Sequence, residues 1–135
     1  MSTKLFRAGI NLHIQTWAAA AFPTLPVVYE NGPVPDEDKI GRIWLDLEVR
    51  WYGAQQLAFS DGLPKKRHSG AISANVFYRE SAGTGKSDDV LDSLAQSLEC
   101  RRLAGGLIMA PQRTVPTNLK GWYKSGLLFP FTLDD

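Results

Sequence analysis

The stretch Ile43-Trp44-Leu45-Asp46-Leu47-Glu48-Val49-Arg50-Trp51-Tyr52 decides the fold, because two kinds of residue alternate along it without a break. A period of two residues is typical of a β-strand with one buried face. Positions 43, 45, 47, 49 and 51 are predicted to face the core, and positions 44, 46, 48, 50 and 52 the other side. A second alternation follows a loop around Asp61-Gly62 and Pro64, and its apolar members are Ile72, Ala74, Val76 and Tyr78. We therefore predict a long antiparallel hairpin.

A helix is predicted on each side of this hairpin, because apolar residues recur there every three or four positions. The first helix has Ser2 or Thr3 as its cap, Pro23 as its end, and the apolar face Phe6, Ile10, Ile14, Trp17 and Ala21. The second has Ser87 as its cap and the apolar face Val90, Leu91, Leu94, Ala95 and Leu98. Its end is assigned to Arg101, Arg102 and Gly105-Gly106.

Three further stretches are predicted to be strands: 27–29, 107–110 and 122–133, the last bent near Gly126 or Pro130. The links between neighbouring strands are too short to carry a crossover helix, so the sheet should be largely antiparallel. Both helices should then cover one face of it. The fold class predicted for residues 1–135 is a single α+β domain of two layers.

The composition of the chain argues against several classes of function. The 135 residues carry 15 Lys and Arg against 14 Asp and Glu, a net charge of +1 that gives no field to attract nucleic acid or an anionic membrane. No signal peptide and no membrane-spanning run is recognisable, which predicts a soluble protein that is not exported. Cys100 is the only cysteine, which excludes an intrachain disulfide.

Metal and thiol chemistry are not expected. His13 and His68 are the only histidines and lie far apart in the sequence, so no metal site is predicted. Cys100 falls at the end of a predicted helix, where the dipole disfavours a thiolate, and a buried or half-buried inert thiol is expected.

The segment Ala82-Gly83-Thr84-Gly85-Lys86-Ser87 imitates the tail of a phosphate-binding loop. That motif requires a glycine five residues before Gly85, where this chain has Glu80, a carboxylate that would repel phosphate. We interpret the glycines as a turn before the second helix and predict no nucleotide or other cofactor.

Asp46 and Glu48 lie on one side of the first long strand, but nothing nearby predicts the apolar pocket that acid–base catalysis requires. We therefore expect no enzymatic activity, and expect these carboxylates to pair with Arg79 or with lysines of a neighbouring subunit. Exposed aromatic residues among directed charges are typical of a subunit interface, although an incidental exposed indole is the alternative. The candidate interface on this strand is Trp44, Asp46, Glu48, Arg50 and Tyr52.

Lys65-Lys66-Arg67-His68 concentrates basic residues in a loop at the tip of the hairpin. Lys65, Lys66 and Arg67 are added to the candidate interface, because a basic loop suits a charge-complementary protein contact. The alternative function is a nucleic-acid-binding module that grips phosphates with loop 65–68.

The order of elements resembles one family. The chain has, in order, a first helix closing on Leu25-Pro26-Val27, a long hairpin, the Gly83-Thr84-Gly85 turn into a second helix, and a late strand from Gly121-Trp122-Tyr123 to Phe129-Pro130-Phe131. This order of elements resembles that of the tail terminator-like proteins of siphophages and prophages.

The resemblance implies a structural protein that caps the tail tube, stops its polymerisation and provides the surface for joining the head. It implies a hexameric ring of identical subunits, with a tail tube protein and a head–tail connector protein as partners and with DNA passing through the ring. The implied locations are the cytoplasm of a bacterial host during assembly and then the virion tail. No cofactor, metal or membrane is implied.

Overall fold

The computed structural model describes residues 3–30, 43–60, 63–79, 84–119 and 121–134, with the side chains at 57–60, 63–65, 84 and 119 left out of the description. The helices are α1 (Thr3–Ala21) and α2 (Thr84–Leu98). The strands are β1 (Val27–Tyr29), β2 (Ile43–Ser60), β3 (Leu63–Arg79), β4 (Arg101–Leu103), β5 (Gly106–Ile108), β6 (Gln112–Arg113), β7 (Thr117–Leu119) and β8 (Trp122–Asp134).

The strands form a single sheet in the order β1-β2-β3-β8-β5-β4, and β6 and β7 also pair with β8. β1 runs parallel to β2, whereas the other pairs of described strands are antiparallel. This confirms the predicted α+β fold and the predicted hairpin, which is β2 and β3.

The core lies between the helices and one face of the sheet. The predicted alternation of β2 is confirmed, since Ile43, Leu45, Leu47 and Val49 are all buried. One apolar cluster joins this face of the sheet to the predicted faces of both helices, except that Ala18 is buried in place of the predicted Ala21, which is exposed. Phe6 of α1 is fully buried, with its ring 4.5 Å from that of Phe131 and 5.9 Å from that of Trp51.

The hairpin extends past the rest of the sheet. β8 ends in register with Arg67, which pairs with Asp134, and β1 pairs with β2 only at residues 45–47. Residues 56–60 and 63–66 therefore pair only with each other among the described strands. We call this two-stranded segment the arm, and its length is roughly 15 Å at the usual rise of a β-strand.

The second helix begins and ends earlier than predicted. It starts at Thr84, so Ser87 lies inside its first turn, almost fully buried, and is not its cap. It ends at Leu98, and Cys100 has a left-handed φ of 55°. Cys100 is exposed, so the prediction of a buried or half-buried thiol was wrong.

The residues assigned to the end of that helix form a hairpin instead. Arg101 pairs with Ile108 and Arg102 with Leu107, because strand pairing at the sheet edge replaces a further helical turn. Gly105, with a φ of 86°, lies in the turn between β4 and β5. The predicted strand 107–110 is shorter and covers Gly106–Ile108.

The helices are antiparallel and meet through polar contacts at the surface. His13 Nε2 lies 2.7 Å from Ser97 Oγ and 3.1 Å from the Ser97 carbonyl oxygen, and Trp17 Nε1 donates to Ser93 Oγ at 3.0 Å. Beside these contacts a shallow groove of about 370 Å³ is lined by His13, Thr16, Trp17, Ala20, Ala21 and Ser97. We call it the α1–α2 groove.

Gly70 tests the close packing of the hairpin. A Cβ at this position would overlap the Arg50 carbonyl oxygen and lie 2.8 Å from Phe131 Cζ. Gly70→Ala should lower the free energy of unfolding by about 1–3 kcal/mol, the usual cost of overpacking, as measured by urea unfolding. Gly53→Ala is the matched control, because a Cβ at Gly53 meets nothing within 4 Å. Equal unfolding midpoints for the two variants would contradict the close approach.

His13 should make stability depend on pH. Partial burial lowers its pKa below 6.5, and Arg101 lowers it further against the opposing hydrogen bond to Ser97. Between the lowered pKa and 6.5 the unfolded chain binds more protons than the folded chain, so stability falls as the pH drops through this window. Because much of the ring is exposed, the loss should stay below about 1 kcal/mol.

The measurement is urea unfolding at pH 7.5 and pH 5.5 for the parent and for His13→Gln. The parent should lose more stability than the variant between the two pH values, because all other titrating groups are shared. Equal losses would exclude a contribution from His13.

Candidate functional site: the outer face of the sheet

The face of the sheet opposite the helices, here called the outer face, brings together the even-numbered residues of β2 and their partners on β3 and β8. The strand register sets them in rows across the sheet: Trp44 with Phe77 and Lys124, Asp46 with Asn75 and Gly126, and Glu48 with Ser73 and Leu128.

The first row is an aromatic stack beside a cation. The rings of Trp44 and Phe77 lie 4.2 Å apart and are inclined by only 7°. Lys124 Nζ lies 5.9 Å from the Phe77 ring, within the range of a cation–π contact. Trp44 is therefore half-buried by its own chain, whereas the sequence predicted an exposed indole. One edge of a rigid aromatic surface remains available for contact.

In the second row Asp46 is a half-buried carboxylate. Burial raises its pKa, the charge of Glu48 raises it further, and Lys124 and Arg50 pull in the opposite direction. Gly126 completes the row because the Asn75 amide oxygen occupies the space that a side chain there would need. The charge of Asp46 is thus kept at some cost to the folded chain.

The third row continues the alternation of charge. Glu48 Oε2 and Arg50 Nε lie 3.5 Å apart, with 46% and 47% of their side chains exposed. An exposed pair of this kind adds little stability, so both charges remain available to a partner. The predicted partner Arg79 is not near them, because its guanidinium lies over the Trp122 ring at 4.2 Å.

Tyr52 departs from these rows. The pairing of β2 with β3 shifts by one residue between Trp51 and Gly53, which makes a β-bulge at Tyr52. Its side chain is 63% exposed. Tyr52 thus marks an irregularity in the hairpin before the arm begins at Gln56.

A small hollow of about 230 Å³ lies beside the rows. Its lining residues are Arg50, Ser73, Asn75, Thr114, Val115, Thr117, Lys124 and Leu128. Asn75 Nδ2 donates to Ser73 Oγ at 3.2 Å, so the floor of the hollow is polar and buried. The hollow is smaller than the pockets that usually hold small organic ligands.

The basic segment 65–68 was predicted to be a loop, and that prediction is wrong. The segment is part of strand β3, and Pro64 also lies in that strand. Arg67 forms a two-pronged ion pair with Asp134, with Nε to Oδ1 at 2.7 Å and the second nitrogen to Oδ2 at 3.0 Å. This hydrogen bonding raises the pKa of Arg67. Lys66 is exposed, and the side chain of Lys65 is not described.

The sequence therefore predicted the residues that β2 contributes to the outer face, but not those that β3 and β8 contribute. Phe77, Lys124 and the pair Arg79 and Trp122 belong to the same surface, but their places depend on register between distant strands. Alternation within β2 carries no information on that register.

Clustered metal ligands and membrane-spanning helices are both absent from the part of the chain that the structure describes. No group of three His, Cys, Asp or Glu residues lies close enough there to hold a metal ion. None of the described helices is long and apolar enough to cross a membrane.

Asp46→Asn tests whether the outer face retains a charge that folding disfavours. Because folding raises the pKa of Asp46, the folded chain binds more protons than the unfolded chain above pH 3.8, and stability from this group falls as the pH rises. The amide should therefore raise the free energy of unfolding at pH 7, by less than about 1 kcal/mol for a half-exposed group. The gain should shrink at pH 3.5 in urea unfolding. A loss of stability at pH 7 would identify Asp46 as a structural residue.

Comparison with known proteins gives a fold and no family. No protein-family model and no curated protein matches the sequence. Eleven chains of solved structures match it. One of them superposes with a TM-score of 0.74 over 98% of this chain and 95% of its own, at 18% sequence identity. At that identity the likeness shows that the α+β fold of this chain occurs in a protein of nearly the same extent.

Proposed function

We propose that this chain is a structural subunit of a bacteriophage tail, which caps the tail tube, stops its polymerisation and provides the surface for joining the head. In this proposal it acts as a hexameric ring and not as an enzyme. Its partners are further copies of itself, a tail tube protein and a head–tail connector protein, and DNA passes through the ring. It would be found in the cytoplasm of the bacterial host and then in the virion tail.

The observation that carries the proposal is the composition of the outer face. The stack of Trp44 on Phe77 offers a rigid aromatic anchor, and beside it Asp46, Glu48 and Arg50 carry charges of both signs. Aromatic anchors with directed charges favour recognition of a protein surface. A site for a small substrate would instead require an enclosed pocket with convergent groups.

The arm supports the same proposal. It leaves the sheet as a two-stranded ribbon, and Gln55, Gln56 and Lys66 at its base are exposed. A ribbon of two strands is only marginally stable in water unless something packs against it. A role in assembly supplies that contact, and the order of elements that resembles the tail terminators agrees with it.

The first experiment measures the mass of the purified chain by light scattering across a wide range of concentration. We expect a species near six times the mass of one chain, whose share of the total protein grows with concentration. Replacing Lys65 and Lys66 together by Ser should weaken this assembly at least tenfold and leave the circular dichroism spectrum unchanged, because the arm lies outside the core. Lys86→Ser is the matched control, since Lys86 is an exposed lysine far from the arm.

The capping activity has its own measurement. Tail tube protein polymerised with and without this chain should give tubes of limited length only when the chain is present, as seen by electron microscopy. Tubes of unchanged length would contradict the proposed function. Tight DNA binding that weakens steeply with salt would instead favour the nucleic-acid-binding alternative.

A further inference from the structure

The surface of α1 and α2 that faces away from the sheet, here called the helix layer, lies on the opposite side of the molecule from the outer face. The two surfaces can therefore meet only between different copies of the chain. The apolar part of the helix layer is the α1–α2 groove, where Trp17 forms the floor and Ala20 and Ala21 are exposed. Leu12, on the exposed side of α1, is 64% exposed. The helix layer thus suits an apolar group of a partner.

A carboxylate lies at one end of the groove. Trp17 donates to Ser93, and the two helices are antiparallel. Four residues further along α1 and four residues back along α2, Ala21 and Asp89 therefore lie at one level. Asp89 is exposed and has no ion pair among the described residues, whereas the other two aspartates of α2 are held by Arg113. Asp89 is thus available to a partner.

The other charges of the helix layer lie around this groove as follows. Lys86 is exposed and lies three residues before Asp89, roughly 4.5 Å further from the groove along α2. Glu99 and Arg101 follow α2 at the other end of the groove, and the charge of Arg101 acts on His13. Because α1 and α2 are antiparallel, opposite ends of their dipoles lie side by side and offset each other. The charge nearest to the groove is therefore negative at one end and positive beside His13.

One row of the outer face has the complementary order. Trp44, Phe77 and Lys124 lie side by side on β2, β3 and β8. Two strand spacings, about 10 Å, separate the first of them from the last. The axes of packed helices are also roughly 8–10 Å apart, so an aromatic stack placed over the groove brings the lysine to α2. Arg79 adds a positive charge in the neighbouring row, and Glu80 after it lies outside the described residues.

The two surfaces also have the same polarity along the molecule. α1 ends near the start of β2, since the Leu45 amide donates to the Pro26 carbonyl oxygen at 2.9 Å. α2 begins after β3 ends. The Asp89 end of the groove and the row of Trp44 therefore lie at the same end of the chain. A copy placed behind another in the same orientation brings Lys124 to Asp89.

The carboxylates of β2 fit the other end of the groove in this arrangement. Asp46 and Glu48 follow in the next two rows of the sheet, which span roughly 14 Å. His13 lies eight residues, roughly 12 Å, from the end of the groove along α1, with Arg101 near it. Arg50 lies one row further, and Glu48 offsets its charge at 3.5 Å. Both signs of charge thus meet the opposite sign.

We infer that the outer face of one copy of this chain packs against the helix layer of the next copy. The stack of Trp44 on Phe77 covers the α1–α2 groove, and Lys124 pairs with Asp89. This inference rests on the proposed function and supplies the contact between neighbours that its ring requires. A cyclic assembly needs two different patches on each subunit, and these two surfaces provide them.

An exchange of charges provides the first test. Lys124→Glu and Asp89→Lys should each raise the dissociation constant of the assembly about tenfold in light scattering, because each places like charges together. The double variant restores an opposite pair and should return to within about threefold of the parent. Arg102→Glu is the matched control, since it makes the same change at an exposed residue of β4 outside the contact. A folding defect cannot produce the rescue. A double variant that associates no better than the single variants would overturn the inference.

A disulfide provides the second test. In a Cys100→Ser background, Lys124→Cys with Asp89→Cys should give covalently linked chains on mild oxidation. The sheet separates the two positions within one chain, so the link can form only between copies. Lys124→Cys with Gln96→Cys is the control, because Gln96 is exposed on α2 roughly 10 Å from Asp89, beyond the reach of a disulfide. We expect about tenfold less linked product from the control, and equal amounts would contradict the contact.

The two tests distinguish this contact from the proposed ring. Hexamers that form without the disulfide and are unaffected by the charge changes would overturn the contact and leave the ring standing. Linked chains and charge rescue without hexamers would support the contact and contradict the hexameric cap. A parent that stays monomeric at every concentration and gives no linked chains would overturn both.

Discussion

The pairing of β2 with β3 in one fixed register is the constraint on which the rest of the structure depends. A shift of one residue would turn Leu45 and Leu47 to the outer face and bury Asp46 and Glu48 among apolar side chains. Burial of an unpaired carboxylate costs several kcal/mol, so the alternation excludes every shift by an odd number of residues. Gly70 adds a steric condition, because only a glycine fits between the Arg50 carbonyl and the Phe131 ring. The same register places Trp44 on Phe77 and lets the hairpin run on past Arg67 as the arm.

The two faces of the sheet consequently have different energetics. On the core face, fully buried residues such as Leu45, Ile72 and Phe129 supply the apolar area that stabilises the fold. On the outer face, Asp46 keeps a charge that its partial burial disfavours, and the exposed pair of Glu48 and Arg50 contributes little to folding. These charges are not accounted for by the stability of the isolated chain, and their side chains are placed where a partner can meet them.

Local pattern was enough to predict the helices, the hairpin and the core face of β2, because each depends on periodicity within one element. The end of α2 was not predictable in this way. Arg101 and Arg102 suit the end of a helix, but their pairing with Ile108 and Leu107 lets the edge of the sheet take them instead. Likewise Lys65 to Arg67 resembled a basic loop, whereas Arg67 is held in a strand by Asp134 at the far end of the chain. Both of these errors arose where a contact between distant residues outweighed a local preference.

The position of the arm has a consequence for how assembly and stability are related. Residues 56–60 and 63–66 pair only with each other among the described strands, so this segment adds little to the folding of a single chain. Changes in the arm should therefore alter association while leaving the core unaffected, and changes in the core should do the reverse.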